Sequence, residues 1–234
     1  MFLLNLLLFF QQVDLEGGDE AVTVESESLF DVLTSSGWLG IGIVCILGFL
    51  LILGLYIFFE RYATIRQAGS IDQNFMSQIR ANVSAGNLAG AKALCQTTDS
   101  PVARMVEKGL QRIGKPLSDI DAAIENVGNL EVFRLEKGLS TLASISGAAP
   151  MIGFFGTVTG MISAFYEMSN AENITPKVLA GGIYQALLTT AAGLFIGILA
   201  FIGYNLLVAR VERVVYKMER STTEFMDLLQ EPTV

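Results

Sequence analysis

The residues of this chain that are best suited to take part in chemistry are polar side chains inside long apolar stretches. One such stretch carries hydroxyls at Thr141, Ser144, Ser146, Thr157, Thr159 and Ser163, and another carries Gln185, Thr189, Thr190 and Asn205. Hydroxyl and amide groups both donate and accept hydrogen bonds, so they can pass water, a proton or a small cation. Thr157 and Thr190 are placed where a polar group could line an inward-facing path, although helix packing alone could also explain them.

Charged groups are missing from these same stretches. A proton-driven membrane device normally has an ionisable residue within the bilayer, because such groups are costly in lipid and mark proton relays. This chain has none there and has no histidine anywhere. The sequence therefore predicts that any titrating group comes from another polypeptide, and that this chain supplies the wall around it.

Enzymatic chemistry is poorly supported by the residues. With no histidine and only two cysteines, the chain lacks metal-ligand spacing and a disulfide framework. It also has no phosphate loop and no nucleophile beside a base. We expect no enzyme activity, no cofactor and no metal, and with a net charge of −8 no nucleic-acid partner.

Three uncharged stretches are long enough to cross a membrane, which takes about 20 helical residues. The chain is 52% hydrophobic and only 16% charged, whereas soluble domains carry about 25% charged residues. The predicted spans are 37–59, 138–166 and 178–209.

Basic residues predict the orientation, because Lys and Arg concentrate on the cytoplasmic side of a span. Ten of the fifteen lie in the segment 61–137, and four follow the third span. The predicted order is an outer N-terminal segment (1–36), a cytoplasmic helical region (60–137), an outer loop (167–177) and a cytoplasmic C-terminal helix (210–234). The opening run MFLLNLLLFF is interpreted as an interfacial segment, with a degenerate cleaved signal as the alternative.

Small residues recur at helix-packing spacing in the second and third spans. In lipid, such residues let two helices approach closely. The first span has no Ser, Thr, Asn or Gln between Trp38 and Phe59, which favours a position against lipid. We therefore expect the second and third spans to pack together through Gly153, Gly156, Gly160, Gly193 and Gly197.

The segments outside the spans have helical periodicity, so the predicted fold class is all-α. Ser100 followed by Pro101 is typical of a helix start, and Ser118 with Asp121 resembles a capping box. The pattern predicts one helix over about 119–168, kinked at Pro150. The third span is likewise predicted to continue as a long helix up to Pro232.

Two runs resemble a known family of proton channels, that of ExbB, TolQ and MotA. APMIGFFGTVTGMISAF (149–165) is similar to the family's second span, and LAGGIYQALLTTAAGLFIGILAFIGYN (179–205) is similar to the third span of the ExbB/TolQ branch. The resemblance covers about 120 residues. It implies a homopentamer in the bacterial inner membrane around two copies of a single-span, ExbD/TolR-like partner that carries the essential Asp. It also implies coupling to a TonB- or TolA-like energy transducer.

The resemblance also implies roles for individual residues. Thr157 and Thr190 match the family's second- and third-span threonines, and Asn205 matches a polar residue near the cytoplasmic exit. Gln185 stands where ExbB-type members often carry Glu, which puts a proton-relay role there in doubt. Leu199 replaces a usual proline, so the third helix is expected to be straighter.

The predicted function is the channel-scaffold subunit of an ion-driven motor that energises outer-membrane transport or envelope maintenance. Its predicted ion path is lined by Thr157, Thr190, Gln185 and Asn205. Two alternatives stay open on sequence alone: a structural membrane scaffold that no longer conducts, and a motor driven by sodium instead of protons.

Overall fold

A computed structural model describes residues 37–70, 74–170 and 176–230. Within these ranges the chain forms seven helices and no strand, so the predicted all-α class is confirmed. The predictions for residues 1–36, and for the middle of the 167–177 loop, lie outside the described residues. The helices are α1 Gly37–Ala68, α2 Phe75–Ser84, α3 Leu88–Thr97, α4 Pro101–Leu110, α5 Leu117–Glu136, α6 Leu139–Asn170 and α7 Pro176–Gln230.

Three parts of the described chain are helical, long and apolar enough to cross a membrane, as the sequence predicted. They are α1, the α5–α6 region and α7. The helices extend beyond the predicted spans, because the helical spacing of apolar residues continues into the more polar sequence next to each span. α6 extends to Asn170, and α7 has 55 residues.

The second and third spans form an antiparallel pair. Gly153 of α6 lies against Gly193 of α7, while Gly182, earlier in α7, lies against Ala164, later in α6. α1 packs on both helices through one face that includes Ile43, Leu47 and Ile57. The opposite face of α1 is exposed and apolar, with Phe49, Ile52 and Tyr56 among its residues. The expectation that α1 meets lipid stays a prediction, and this exposed apolar face is compatible with it.

The helix expected over about 119–168 is interrupted. α5 ends at Glu136 and α6 begins at Leu139, and Gly138 between them has φ = +83°. Positive φ is accessible to glycine because it has no Cβ, and this conformation ends α5. Pro150, by contrast, does not end α6. We call the Lys137–Gly138 connection the elbow.

Helices α2, α4 and α5 pack against α7, and α3 packs on α2 and α4. We call these four helices, with the part of α7 that follows residue 210, the extramembrane bundle. Phe225 of α7 is fully buried in it, against Gly109 of α4. Ser100 is the N-cap of α4, as predicted, since its hydroxyl accepts from the Ala103 N–H at 3.1 Å. The predicted capping box at Ser118 is wrong. α5 already begins at Leu117, because Pro116 takes the cap position and fixes the backbone there.

Candidate functional site

The backbones of α6 and α7 lie in direct contact where the two helices pack together. A methyl group added at Gly193 would lie 2.6 Å from the Ala149 carbonyl oxygen and 2.9 Å from Gly153 Cα. A methyl added at Gly153 would lie 2.8 Å from the Thr189 carbonyl oxygen. Only glycine therefore fits at these two positions without moving a helix backbone.

The other predicted packing glycines face α7 or α6 at the same contact. A methyl on Gly156 would meet Thr189 Oγ1 at 2.5 Å, and one on Gly160 would meet Ala186 Cβ at 3.0 Å. Gly197 lies over Pro150, whose Cγ would be 2.5 Å from an added methyl. The contact thus continues over several turns of both helices.

Thr157 and Thr190 lie together at this contact. Thr190 Oγ1 is 3.0 Å from the Gly153 carbonyl oxygen and 3.4 Å from Thr157 Oγ1. Thr157 donates to the Phe154 carbonyl at 2.6 Å. Because a hydroxyl has one proton, Thr190 can donate fully to only one of its two acceptors at a time. The pair can therefore reorient its hydrogen bonds without moving a backbone.

Thr189 is a third hydroxyl at the contact, and it is a polar residue of the third span that the predicted ion path does not include. It is buried, donates to the Ala186 carbonyl at 2.7 Å, and lies 3.5 Å from the Gly153 carbonyl oxygen. A signal for it was present, because Thr189 precedes Gly193 and Gly197 at intervals of four and therefore shares their helix face. Gly153 O thus has two hydroxyls near it.

Gln185 and Asn205 occupy different positions relative to this cluster. Gln185 is half-buried and lies one turn before Thr189 on α7. Asn205 is exposed and donates to the Phe201 carbonyl at 2.9 Å. It follows Thr190 by fifteen residues, about 22 Å along a helix. The structure brings Thr157 and Thr190 together but leaves Asn205 well away from them.

The chemistry available at the contact is hydrogen bonding without charge. No Asp, Glu, Lys or Arg occurs between Gly138 and Tyr166, or between Val178 and Ala209. The hydroxyls can solvate an ion or a protonated group presented to them. A threonine hydroxyl keeps its own proton at neutral pH and does not take up a second one, so the contact needs a titrating group from elsewhere to bind and release protons.

Large apolar side chains surround the contact on the outside of the α6–α7 pair. They are exposed in the single chain, with Phe154 at 64%, Ile162 at 63% and Leu187 at 60% exposed fraction. Such exposure is stable for lipid-facing helices, or for helices covered by other membrane-spanning chains.

Comparison with known proteins finds one family match and a group of curated relatives. The profile of the MotA/TolQ/ExbB proton channel family matches residues 97–220. The Tol-Pal system protein TolQ of Pseudomonas aeruginosa is 29% identical over 182 residues, which cover 73% of this chain and 79% of that protein. TolQ of Haemophilus influenzae is 39% identical over 101 residues, 43% of this chain and 44% of that protein. The biopolymer transport protein ExbB of Neisseria gonorrhoeae is 43% identical over 74 residues, 32% of this chain and 34% of that protein.

Proposed function

The chain belongs to the MotA/TolQ/ExbB proton channel family, and from that premise we propose that it is the channel-scaffold subunit of a proton-driven motor. Its relatives support a membrane motor-channel subunit of the ExbB/TolQ type, in a family of transport proteins. The proposed motor energises outer-membrane transport or envelope maintenance.

The observation that carries the proposal is the Thr157–Thr190 hydroxyl pair in a charge-free, glycine-packed helix contact. The hydroxyls lie 3.4 Å apart, and each also lies near a backbone carbonyl, that of Gly153 for Thr190 and that of Phe154 for Thr157. They can solvate an ion, but no carboxylate lies in either span to bind and release a proton. The proposal therefore includes a single-span, ExbD/TolR-like partner whose Asp is the titrating group, and a TonB- or TolA-like transducer.

Several copies of the chain are needed to enclose such a partner. The exposed apolar surfaces of α6 and α7 support this, since neighbouring copies would cover part of them. We propose a homopentamer with α1 on the lipid side.

The proposed topology places the N-terminus in the periplasm and the extramembrane bundle in the cytoplasm of a bacterial inner membrane. Its support is the charge bias, because ten of the fifteen basic residues lie in 61–137, between the first two spans. In this topology the membrane boundaries stay at 37–59, 138–166 and 178–209, and 167–177 faces outward.

The test is ion uptake by vesicles that contain the chain together with its single-span partner. Thr157→Val and Thr190→Val keep the side-chain volume but remove the hydroxyl, and we expect each to lower proton flux at least about tenfold. The control is Thr141→Val, because Thr141 is on the same helix as Thr157 and is exposed. We expect this control to conduct like the wild type.

The outcomes separate the alternatives. Flux that follows a sodium gradient and not a pH gradient would make the motor sodium-driven. No flux of either ion with the partner present, and no loss of function in the two valine variants, would leave a non-conducting structural scaffold. Gln185 is the observation that favours the scaffold, since it cannot ionise.

A further inference from the structure

A buried carboxylate lies in α5, outside the proposed spans. Glu131 is 3% exposed and both of its oxygens are bound. Oε2 accepts from Arg104 Nη2 at 2.8 Å, and Oε1 accepts from Arg134 Nη1 at 2.6 Å. A carboxylate is costly to bury unless it is paired, so Glu131 depends on its two arginines, whose side chains are 39% and 67% exposed.

The network continues from Glu131 into α4. Arg104 also donates to Asp99 at 2.7 Å through its other terminal nitrogen, so it bridges two carboxylates. Asp99 lies immediately before the N-cap Ser100. The start of α4 is thereby connected to the last two turns of α5 through charge-assisted hydrogen bonds, which are stronger and more directional than neutral ones.

At its other end the network reaches α1. Arg61 Nη1 lies 3.4 Å from the Arg134 carbonyl oxygen. Carbonyls in the last turn of a helix lack intrahelical donors, and α5 ends two residues after Arg134. Arg61 is held in place by Glu60 at 2.7 Å, and its side chain is only 12% exposed. It also lies against the elbow, with Nε 3.6 Å from a methyl added at Gly138.

Arg61 therefore contacts both the last turn of α5 and Gly138 of the elbow, after which α6 begins. The Glu131–Arg104 pair holds the preceding turn of α5 on α4. Thr157 lies about 28 Å further along α6, so a tilt of about 5° at the elbow would displace it by roughly 2 Å. That displacement would exceed the tolerance of the two contacts that Thr190 of α7 makes with α6, 3.0 Å to the Gly153 carbonyl oxygen and 3.4 Å to Thr157 Oγ1.

We propose that Glu131 and Arg61 are positioning residues that fix the elbow between the extramembrane bundle and α6, and so set where Thr157 lies in the ion path. The effect on the ion path rests on the proposed function. The effect on the elbow does not.

The first measurement is proton flux for each assembled complex, with the amount of complex determined by native mass spectrometry. In Glu131→Gln and Arg61→Gln we expect assembly with the partner to persist and flux per complex to fall about tenfold, as small misplacements of reacting groups produce. The control is Arg220→Gln, which breaks the exposed Arg220–Glu224 pair of α7 (2.9 Å) far from the elbow. A merely stabilising ion pair would change the yield and leave flux per complex unchanged.

The second measurement is structural and independent of conduction. Spin labels at Asn126→Cys in α5 and Ser140→Cys in α6 span the elbow from exposed positions. Cys45→Ala removes the exposed native cysteine. We expect the distance distribution between the labels to broaden or shift in Glu131→Gln and to stay unchanged in Arg220→Gln.

The outcomes distinguish the two proposals. A wild-type complex that conducts nothing would overturn the proposed function. A conducting wild type with an equally active Glu131→Gln complex and an unchanged label distance would overturn the positioning role alone. If Glu131→Gln does not assemble, Arg61→Gln decides, because it removes the contacts of Arg61 with the Arg134 carbonyl and with Gly138 and leaves both ion pairs of Glu131 in place. Equal flux per complex in that variant would likewise refute the positioning role.

Discussion

Replacing Gly193 by alanine tests whether backbone contact between α6 and α7 holds the two spans together. The new methyl would lie 2.6 Å from the Ala149 carbonyl oxygen and 2.9 Å from Gly153 Cα, and both neighbours are backbone. Restoring an ordinary contact of 3.4 Å requires the helices to separate by about 0.8 Å. Overpacking of this kind costs about 1–3 kcal/mol. The gain in helix propensity from Gly to Ala, about 1 kcal/mol, offsets part of that cost.

The measurement is thermal unfolding of the purified chain in detergent. For a chain of this size each kcal/mol shifts Tm by about 2–4 °C, so the net cost corresponds to a decrease of up to about 8 °C. The control is Gly48→Ala in α1, where a methyl meets no atom within 4 Å. We expect that control to keep or raise Tm through helix propensity. A Gly193→Ala chain as stable as Gly48→Ala would refute the close-contact reasoning.

Three further predictions concern single side chains. Ser100→Ala removes the N-cap of α4 and should destabilise the chain by about 1 kcal/mol in denaturant unfolding, whereas Ser118→Ala, which caps nothing, should change stability by less than about 0.5 kcal/mol; equal effects would contradict the assignment of the caps. Burial, with a smaller contribution from the charge of Glu107, raises the pKa of the Cys95 thiol to about 12, so alkylation at pH 8 should proceed only on unfolding. The unfolded thiol releases its proton above its ordinary pKa of 9.0 while the folded thiol keeps it, so the free energy of unfolding should decrease as pH rises from 9 toward 12, and rapid alkylation of the folded chain would refute this burial. Thr190→Ser keeps the hydroxyl near Gly153 O and should retain most of the ion flux that Thr190→Val loses; equal loss in both would assign the role of Thr190 to its methyl group.

The spans and the helical class were predictable from sequence because they depend on local composition. A run of more than 20 uncharged residues has few stable environments other than a bilayer, whatever the rest of the chain does. The N-cap at Ser100 was predictable for a similar reason, since a cap and its N–H partner lie three residues apart.

The position of Glu131 was not predictable in this way. In sequence it is one carboxylate among many in a polar region. Its burial depends on Arg104, which is 27 residues away and reaches it only because α4 packs on α5. The contact of both Thr189 and Thr190 with one carbonyl oxygen was also hard to predict, because adjacent residues of a helix point about 100° apart. The register against α6 decides that both reach Gly153 O.

By itself the sequence determined three apolar helices, the absence of charge from the predicted spans and the stripes of glycines, because each follows from residue type and spacing along one helix. Only the tertiary structure decided that Gly138 turns the chain between α5 and α6. A glycine is tolerated in a helix interior as well as at its end. Gly138 has a positive φ, and Arg61 and Ile57 of α1 lie against it at the elbow. That contact joins residues far apart in the chain.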